Sequence, residues 1–272
     1  MNSGNRKRIA LAVSAVYQVL NSVITAQMGK SKRTRIDKLL VERGHIETRE
    51  RAQRLILAGQ VLADERVIDK PGTLVKEDTV LRIIGFEKYV GRGGHKLEAA
   101  LDFFAMDVTG LVCLDVGAST GGFTDCLLQR GARKVIAIDV GHNQLAWKIR
   151  SDPRVEVYEG LNARTLTPSI IGTTVRLAVV DVSFISLTLV LASIFSCVES
   201  EGALIALIKP QFELEPHNVG KGGIVREEQL RQNAVLKIRH FVTSQLKREW
   251  VGVIDSPILG AKGNKEFLAC LR

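Results

Sequence analysis

The chain has 272 residues, of which 46% are hydrophobic and 25% charged, and this composition excludes a disordered or fibrous protein. Residues 1–96 hold 19 lysines and arginines against 10 acidic residues, whereas residues 97–272 hold 19 of each. The excess positive charge therefore lies in the first third, which favours a part that binds a polyanion, with a solvated basic surface as the plainer alternative. No apolar run reaches the ~18 residues of a membrane span, so no membrane partner is expected.

The four cysteines are too far apart in the sequence for a C-x-x-C pair, and three of them lie in apolar runs: Cys113, Cys126, Cys197 and Cys270. This usage argues against a disulfide scaffold and against a zinc site, so no metal is expected. It is typical of a reducing compartment, and we predict a cytoplasmic protein.

The first 33 residues are predicted to be a leader or a basic extension. Residues 1–36 contain no acidic residue, and NRKR before IALAVSAVYQVL resembles the start of a secretory signal. Met28 opens the sequence MGKSKRTRIDKLL, so an upstream start codon explains residues 1–27 equally well. We favour the second interpretation, because a basic module would have no evident use outside the cell.

Residues 34–86 form the first predicted domain. A helix over 37–43 ends at Gly44, and Thr48 is expected to cap a second helix over 49–58 that ends at Gly59. Two strands with a turn at Asp64 and Glu65 follow, and DTVLRII is a third strand. The basic side chains on these elements are the candidates for contact with a phosphate backbone: Arg35, Lys38, Arg49, Arg51 and Arg54.

Three segments of this domain resemble the S4 fold, a small RNA-binding domain. They are R-x-D-K-L-L at 35–40, R-x-x-A-x-x-L-I-x-x-G-x-V at 49–61 and VIDKPGTLV at 67–75. The spacings of helix, glycine and strand agree over about fifty residues. The resemblance implies that this domain binds RNA.

A glycine-rich linker is predicted over 87–95, and its Arg92 is a further candidate for RNA contact. A helix is expected from about Lys96 to Phe104, and apolar strands then alternate with helices, one of them over 227–244, to the C-terminus. This alternation predicts an α/β domain over 96–272 with a Rossmann-like, doubly wound parallel sheet.

The first strand of this domain runs into LDVGASTGGFTD, which contains G-x-S-x-G, the nucleophile elbow of serine hydrolases. An elbow normally follows several strands, with its acid and then its histidine later in the chain. Here it follows the first strand, and His142, His217 and His240 lack a triad context. We therefore interpret Ser119 as a loop residue that contacts a cofactor.

The same loop resembles the first motif of class I S-adenosylmethionine-dependent methyltransferases, because it has the form D-x-G-x-x-x-G-G. Ser119 stands where a dinucleotide fold has its second glycine, which disfavours a pyrophosphate. Asp139 ends the second strand and is placed to accept hydrogen bonds from ribose hydroxyls. The resulting cofactor candidates are Asp115, Gly117, Ala118, Ser119, Gly121, Gly122, Phe123, Asp139, Val140, Asn162 and Asp181.

Charged residues at strand ends point to the reaction. Asp181 and Lys209 each follow an apolar strand, and ligands bind at the carboxyl edge of such sheets. Lys96 begins the helix before the sheet, and Glu266 reaches the same edge if the last strand is antiparallel. An N/D-P-P-Y/F motif for amino-group methylation and a cysteine at a strand end for pyrimidine-carbon methylation are both missing. A ribose hydroxyl must lose a proton, which a lysine beside a second cation can accept.

The set Lys96, Asp181, Lys209 and Glu266 resembles the catalytic tetrad of the FtsJ-like RNA ribose 2′-O-methyltransferases. With GRGGHKL, DVSFISL, KPQFE, VGKGGIV and GNKEFL in order behind an S4-like domain, the chain resembles the TlyA, or hemolysin A-like, family. That resemblance implies S-adenosyl-L-methionine as cofactor, and ribosomal RNA or ribosomal subunits as partner, with a cytidine ribose as target. On this resemblance we expect Lys209 to act as the base or to orient the hydroxyl, and Asp181 to fix Lys209 near the amino end of the cofactor. Lys96 is expected to lower the pKa of Lys209 and to offset charge, and Glu266 to position Lys96 or the ribose.

Two alternatives remain at this point: an inactive S4-type RNA-binding protein and a haemolysin. The first is disfavoured by the intact tetrad. A monomer is favoured, and the oligomeric state and the modified nucleotide stay open.

Overall fold

The structure is a computed structural model that describes residues 33–84 and 88–272. The chain divides into two compact units, one ending at Phe86 and one beginning at Glu87. The predicted leader lies outside the described residues, apart from Arg33.

The first unit contains two helices and two small antiparallel sheets. Strand β1 pairs with β4, and a three-stranded sheet has the order β3-β2-β5. The elements are β1 (Arg33–Arg35), α1 (Ile36–Glu42), α2 (Arg49–Leu57), β2 (Val61–Ala63), β3 (Arg66–Ile68), β4 (Leu74–Lys76) and β5 (Leu81–Ile83). Strands β1 and β4 are each only three residues long and were not predicted from the sequence.

Local sequence explains the second helix and the hairpin after it. Thr48 caps α2 as predicted, and its side chain accepts a hydrogen bond from the backbone N–H of Arg51. Ala52 and Ile56, about one helical turn apart, are fully buried. Asp64 and Glu65 form the turn between β2 and β3, both with positive φ, which suits the right-handed twist of a tight hairpin.

The second unit is built on a seven-stranded sheet of order β11-β12-β10-β9-β6-β7-β8. Strands β6 to β10 run parallel to one another, and β12 is antiparallel to both β10 and β11. The strands are β6 (Val112–Val116), β7 (Lys134–Asp139), β8 (Val155–Glu159), β9 (Val175–Val180), β10 (Val198–Ile208), β11 (Trp250–Asp255) and β12 (Phe267–Leu271). The α/β prediction is thus confirmed.

Helices connect these strands, and both faces of the sheet carry an apolar core. Leu114 and Val116 of β6 belong to the core on one face, whereas Cys113 belongs to the core on the other. Burial of both faces explains why the strands are apolar runs. The helices are α3 (Gly93–Phe103), α4 (Gly122–Gln129), α5 (Trp147–Arg150), α6 (Pro168–Ile171), α7 (Leu191–Ser196), α8 (Pro210–Glu213) and α9 (Glu228–His240).

Two helices differ in their bounds from the sequence prediction. Helix α3 begins at Gly93, three residues before the predicted start at Lys96. Its early start depends on tight packing, because a side-chain Cβ at Gly94 would come within 2.2 Å of the Tyr89 ring. Helix α9 is α-helical only to His240, and a π-helical turn continues it over Phe241–Gln245.

Among the described helices, none combines the length and the apolar character needed to cross a membrane. The four cysteines are buried and unpaired. Burial raises the pKa of all four thiols, to about 12 for Cys113 and about 11 for Cys126. These thiols are therefore poor nucleophiles.

Candidate active site

An ion pair joins the ends of two neighbouring strands at the carboxyl edge of the sheet. Asp181 follows β9, Lys209 follows β10, and the Lys209 Nζ lies 2.6 Å from the Asp181 Oδ1. The same amine donates a hydrogen bond of 2.8 Å to the hydroxyl of Ser183. Only 11% of the Lys209 side chain is exposed, so its amine is fixed at this edge rather than extended into solvent.

A second ion pair lies beside the first. Lys96, on the first turn of α3, donates a hydrogen bond of 2.5 Å to Glu266, directly before β12. Because β12 runs antiparallel, its start pairs with the end of β10, with Phe267 opposite Ile208. The condition stated from the sequence, an antiparallel last strand, is thus met, and it brings Glu266 to the edge that carries Lys209.

A cavity of about 270 Å³ opens between these charged groups and the glycine-rich loop after β6. Its walls include Lys96, Asp181 and Lys209, and Gly260 lines it in front of Glu266. A Cβ at Gly260 would come within 1.9 Å of the Glu266 carboxylate, so this position needs a glycine. Arg92 and three predicted loop residues, Ala118, Gly122 and Phe123, line the same cavity.

A larger cavity of about 500 Å³ lies on the other side of the loop. Gly117, Ser119 and Asp181 line both cavities. The predicted residues Asp139, Val140 and Asn162 line the larger one. Of the remaining candidates, Asp115 is fully buried behind the loop, and Gly121 begins α4 in a left-handed conformation.

Backbone geometry explains the sequence of this loop. Gly117 has φ +84°, and a Cβ there would lie 2.5 Å from the carbonyl oxygen of Asp181. Ser119 also has a positive φ, of 48°, and its N–H donates to the Asp139 carboxylate at 2.8 Å. The Asp139 carboxylate also accepts from the N–H of Gly141. Asp139 thus holds the loop in shape and lines the larger cavity at the same time.

Asp115 is a buried acid with unused hydrogen-bonding capacity. Its Oδ2 accepts from the Thr124 hydroxyl at 2.6 Å, whereas its Oδ1 has no hydrogen-bond partner in the part of the chain that the structure describes. Burial, with the nearby carboxylates of Asp181 and Asp139, raises the pKa of Asp115 to about 7 against the hydrogen bonds from Thr124. A cationic group at this point would restore the carboxylate.

The raised pKa of Asp115 makes a prediction about stability. The unfolded carboxyl loses its proton near pH 4 and the folded one near pH 7, so the free energy of unfolding falls as the pH rises between these values. Asp115→Asn removes this pH dependence of the free energy of unfolding. Between pH 5 and pH 8, without cofactor, the free energy of unfolding of the variant is expected to rise by about 2–3 kcal/mol relative to that of the unsubstituted protein. Urea unfolding at each pH measures this difference.

Asp152→Asn is the matched control, because the Arg154 guanidinium holds the pKa of Asp152 below its ordinary value. Its carboxylate is ionised in both states from pH 5 to pH 8, so the difference from the unsubstituted protein should stay constant. Parallel stability curves for Asp115→Asn and the unsubstituted protein would contradict the assignment.

The loop after β9 contains site residues that sequence analysis did not single out. Ser183 bonds Lys209, and the following Phe184 has φ +62° with 91% of its surface exposed. A left-handed backbone conformation is rare for a bulky residue, and it is found preferentially at functional sites. Buried Glu213 holds this loop, since its carboxylate accepts from the Leu187 N–H and the Ser186 hydroxyl. The motifs DVSFISL and KPQFE contain Ser183, Phe184 and Glu213, but they entered the sequence analysis only as part of the family resemblance.

In the first unit a buried acid organises two of the predicted RNA-contact residues. Asp37 is fully buried and accepts hydrogen bonds from Arg35, Arg49 and Gln53 at about 3 Å. Burial opposes ionisation, but these three donors hold the pKa of Asp37 below its usual range. Lys38 and Arg54 are exposed, and Arg51 pairs with Glu47.

A parallel sheet extended by antiparallel β12, with an acid–glycine loop after β6 and two cavities at the carboxyl edge, is the architecture of a class I methyltransferase. Comparison with known proteins agrees with that class. The model of the FtsJ-like methyltransferase family matches residues 89–272, and that of the S4 domain matches residues 34–81. The chain belongs to the FtsJ-like methyltransferase family and carries an S4 domain in front of the methyltransferase domain.

Curated relatives match this chain over most of its length and of their own. The 16S/23S rRNA (cytidine-2′-O)-methyltransferase TlyA of Mycobacterium tuberculosis is 46% identical over 89% of this chain and 91% of its own. Hemolysin A of Brachyspira hyodysenteriae is 42% identical over 86% of this chain and 98% of its own. These matches confirm the predicted TlyA, or hemolysin A-like, family.

A solved structure has the same fold. It belongs to a Streptococcus thermophilus protein provisionally named a hemolysin, which is 41% identical with a TM-score of 0.67 and covers 89% of this chain and 88% of its own.

Proposed function

We propose that the protein transfers a methyl group from S-adenosylmethionine to a ribose 2′-hydroxyl, that of a cytidine in 16S or 23S ribosomal RNA or in both. The observation that carries the proposal is the pair of ion pairs, Lys209–Asp181 and Lys96–Glu266, beside one cavity. The name of the Mycobacterium tuberculosis relative supports the RNA target and the ribose position.

The larger cavity and Asp115 fit S-adenosylmethionine, whose bound sulfonium supplies the methyl group. The cavity has room for a nucleoside and is lined by the Asp139 carboxylate, which can accept from ribose hydroxyls. The free Oδ1 of buried Asp115 suits the amino group of the methionine part. Gly117 and Ser119 line both cavities. They would therefore contact the part of the cofactor that lies between its nucleoside and the target ribose.

Each member of the tetrad has a distinct proposed role. Lys209 faces the smaller cavity. As an ammonium it orients the 2′-hydroxyl by a hydrogen bond, and it accepts the hydroxyl proton only after it has lost one of its own protons to solvent. Asp181 and Ser183 fix its amine from two sides. Lys96 offsets the negative charge that develops on the attacking oxygen, and Glu266 holds Lys96 in place. Because the displacement is in line, alignment of the hydroxyl contributes much of the rate.

RNA binding is assigned to both units. The S4 unit offers Arg35, Lys38, Arg49, Arg51 and Arg54 to phosphates, which position RNA without reading its sequence. In the second unit exposed Arg92 lines the smaller cavity, where the target ribose would enter. Phe184 offers a flat, exposed face beside Ser183 on which a base can stack.

The alternatives make different predictions. Methylation of a pyrimidine carbon needs a cysteine nucleophile, and all four thiols are buried with raised pKa values. A haemolysin is suggested by the name of the Brachyspira hyodysenteriae relative. An inactive RNA-binding protein would keep the S4 unit and lose the tetrad, which is intact here.

The test is incubation of purified 30S and 50S ribosomal subunits, separately, with methyl-labelled S-adenosylmethionine and the protein. Label is expected in the RNA of one or both subunits. No label in either subunit, together with RNA binding, would favour the inactive protein. Lysis of red cells by the protein without residues 1–27 would favour the haemolysin.

A further inference from the structure

The loop that supplies Gly260 and Ala261 to the smaller cavity is joined to a second loop through the side chain of one buried residue. Asn264 is 2% exposed and lies in the loop between β11 and β12. Its Oδ1 accepts from the N–H of Val225 at 2.9 Å, and its Nδ2 donates to the carbonyl of Gly223 at 2.8 Å. A buried amide that satisfies both a donor and an acceptor fixes the two backbones against each other.

The loop held in this way is a short hairpin over residues 219–226. Gly220 and Ile224 form a β-bridge, and Gly222 and Gly223 have positive φ values. A second tie comes from Lys262, which donates to the carbonyl of Gly222 at 2.9 Å. The hairpin is therefore held at three of its residues, 222, 223 and 225.

Lys221 lies at the tip of this hairpin and is exposed. Across residues 33–84 and 88–272, no side chain forms an ion pair or hydrogen bond with its amine. Residues 219–226 contain no acidic side chain. A fixed loop that ends in an unpaired cation is suited to bind a phosphate, because the ordered loop loses little conformational entropy on binding.

The hydrogen bonds of Asn264 to Val225 and Gly223, here called the clamp, also connect Lys221 with the wall of the smaller cavity. Gly260 and Ala261 line the smaller cavity, and the Asn264 amide donates weakly to the carbonyl of Ala261, at 3.4 Å. Two residues further along the chain is Glu266, the partner of Lys96. Asn264 thus ties the hairpin to the segment that forms one side of the pocket.

We propose that Lys221 contacts a backbone phosphate of the RNA near the target nucleotide, and that Asn264 is the positioning residue that holds the hairpin for this contact. The inference rests on the proposed function, since it takes RNA as the substrate. It assigns part of RNA positioning to the methyltransferase domain itself, in addition to the S4 domain.

The test measures binding of the full-length protein to 30S and 50S subunits over a range of salt concentrations. Lys221→Ala is expected to weaken binding about 3- to 10-fold and to lower the slope of log affinity against log salt by about one. Lys221→Arg should restore both. Arg133→Ala is the matched control, because Arg133 is exposed at the opposite edge of the sheet, before β7, and it should bind like the unsubstituted protein.

Asn264→Ala tests the clamp, and Asn264→Asp provides a milder change that keeps the acceptor for Val225. Either variant should raise KM for the subunits with little change in kcat or in cofactor affinity. Addition of Lys221→Ala should then cause no further loss. A purely structural role would instead lower kcat and cofactor affinity together.

Unchanged affinity and salt slope for Lys221→Ala would overturn the proposal, and losses that multiply in the double variant would overturn the role of Asn264. Failure of the proposed function is distinguishable, because the unsubstituted protein would then transfer no label or bind no subunit.

Discussion

Lys209→Ala is expected to lower the rate of methyl transfer about 10²- to 10⁴-fold while the affinity for S-adenosylmethionine stays within about twofold. The amine of Lys209 lies between Asp181 and Ser183 and faces the smaller cavity. Alanine removes the group that acts on the hydroxyl, whereas the larger cavity does not include Lys209 among its walls. Single-turnover transfer to ribosomal subunits and equilibrium binding of the cofactor measure the two quantities.

Lys209→Met is the control for side-chain volume, and it should be as inactive as alanine. Lys247→Ala, which changes an exposed lysine before β11, should keep the full rate. Full activity of Lys209→Ala would remove Lys209 from the reaction. Loss of cofactor binding in parallel with activity would indicate a damaged fold rather than a lost catalytic group.

The second large effect concerns the buried pair Lys96–Glu266. Lys96→Met leaves the Glu266 carboxylate, 2% exposed, without its cationic partner, and this is expected to lower the free energy of unfolding by about 3–5 kcal/mol. Replacement of both residues by methionine removes the unpaired charge as well. The double variant should therefore recover most of the lost stability, but it should not recover methyl transfer.

Urea unfolding and the transfer assay together separate the two roles of the pair. A Lys96→Met variant as stable as the unsubstituted protein would contradict the buried ion pair. A double variant with the full transfer rate would show that the pair serves the fold alone.

Much of the fold follows from local patterns in the sequence. The apolar strands and the Thr48 cap depend on residues close together in the chain, and both were predicted. The position of Glu266 followed from one topological assumption, the antiparallel last strand, which the pairing of β12 with β10 confirms. The early start of α3 was not predicted, because glycine is a weak helix former and only the packing of Gly94 against Tyr89 explains it.

The site was predictable where residues lie at the ends of strands. Asp181 and Lys209 are such residues, and parallel strands bring their ends together. Ser183, Glu213 and Asn264 are different, because their roles depend on hydrogen bonds to residues about 26 to 41 positions away. No periodicity or short motif contains that information, and only the folded chain shows which backbone groups these side chains meet.

The position of the methyl group on the nucleotide tests the central claim most directly. Alkaline hydrolysis of RNA needs a free 2′-hydroxyl, so a 2′-O-methylated residue stays joined to its neighbour. Ribosomal RNA labelled by the protein should therefore release its label in alkali-resistant dinucleotides with cytidine as the methylated member. Label in mononucleotides would place the methyl group on a base and would contradict the proposed action of Lys209 on a ribose hydroxyl.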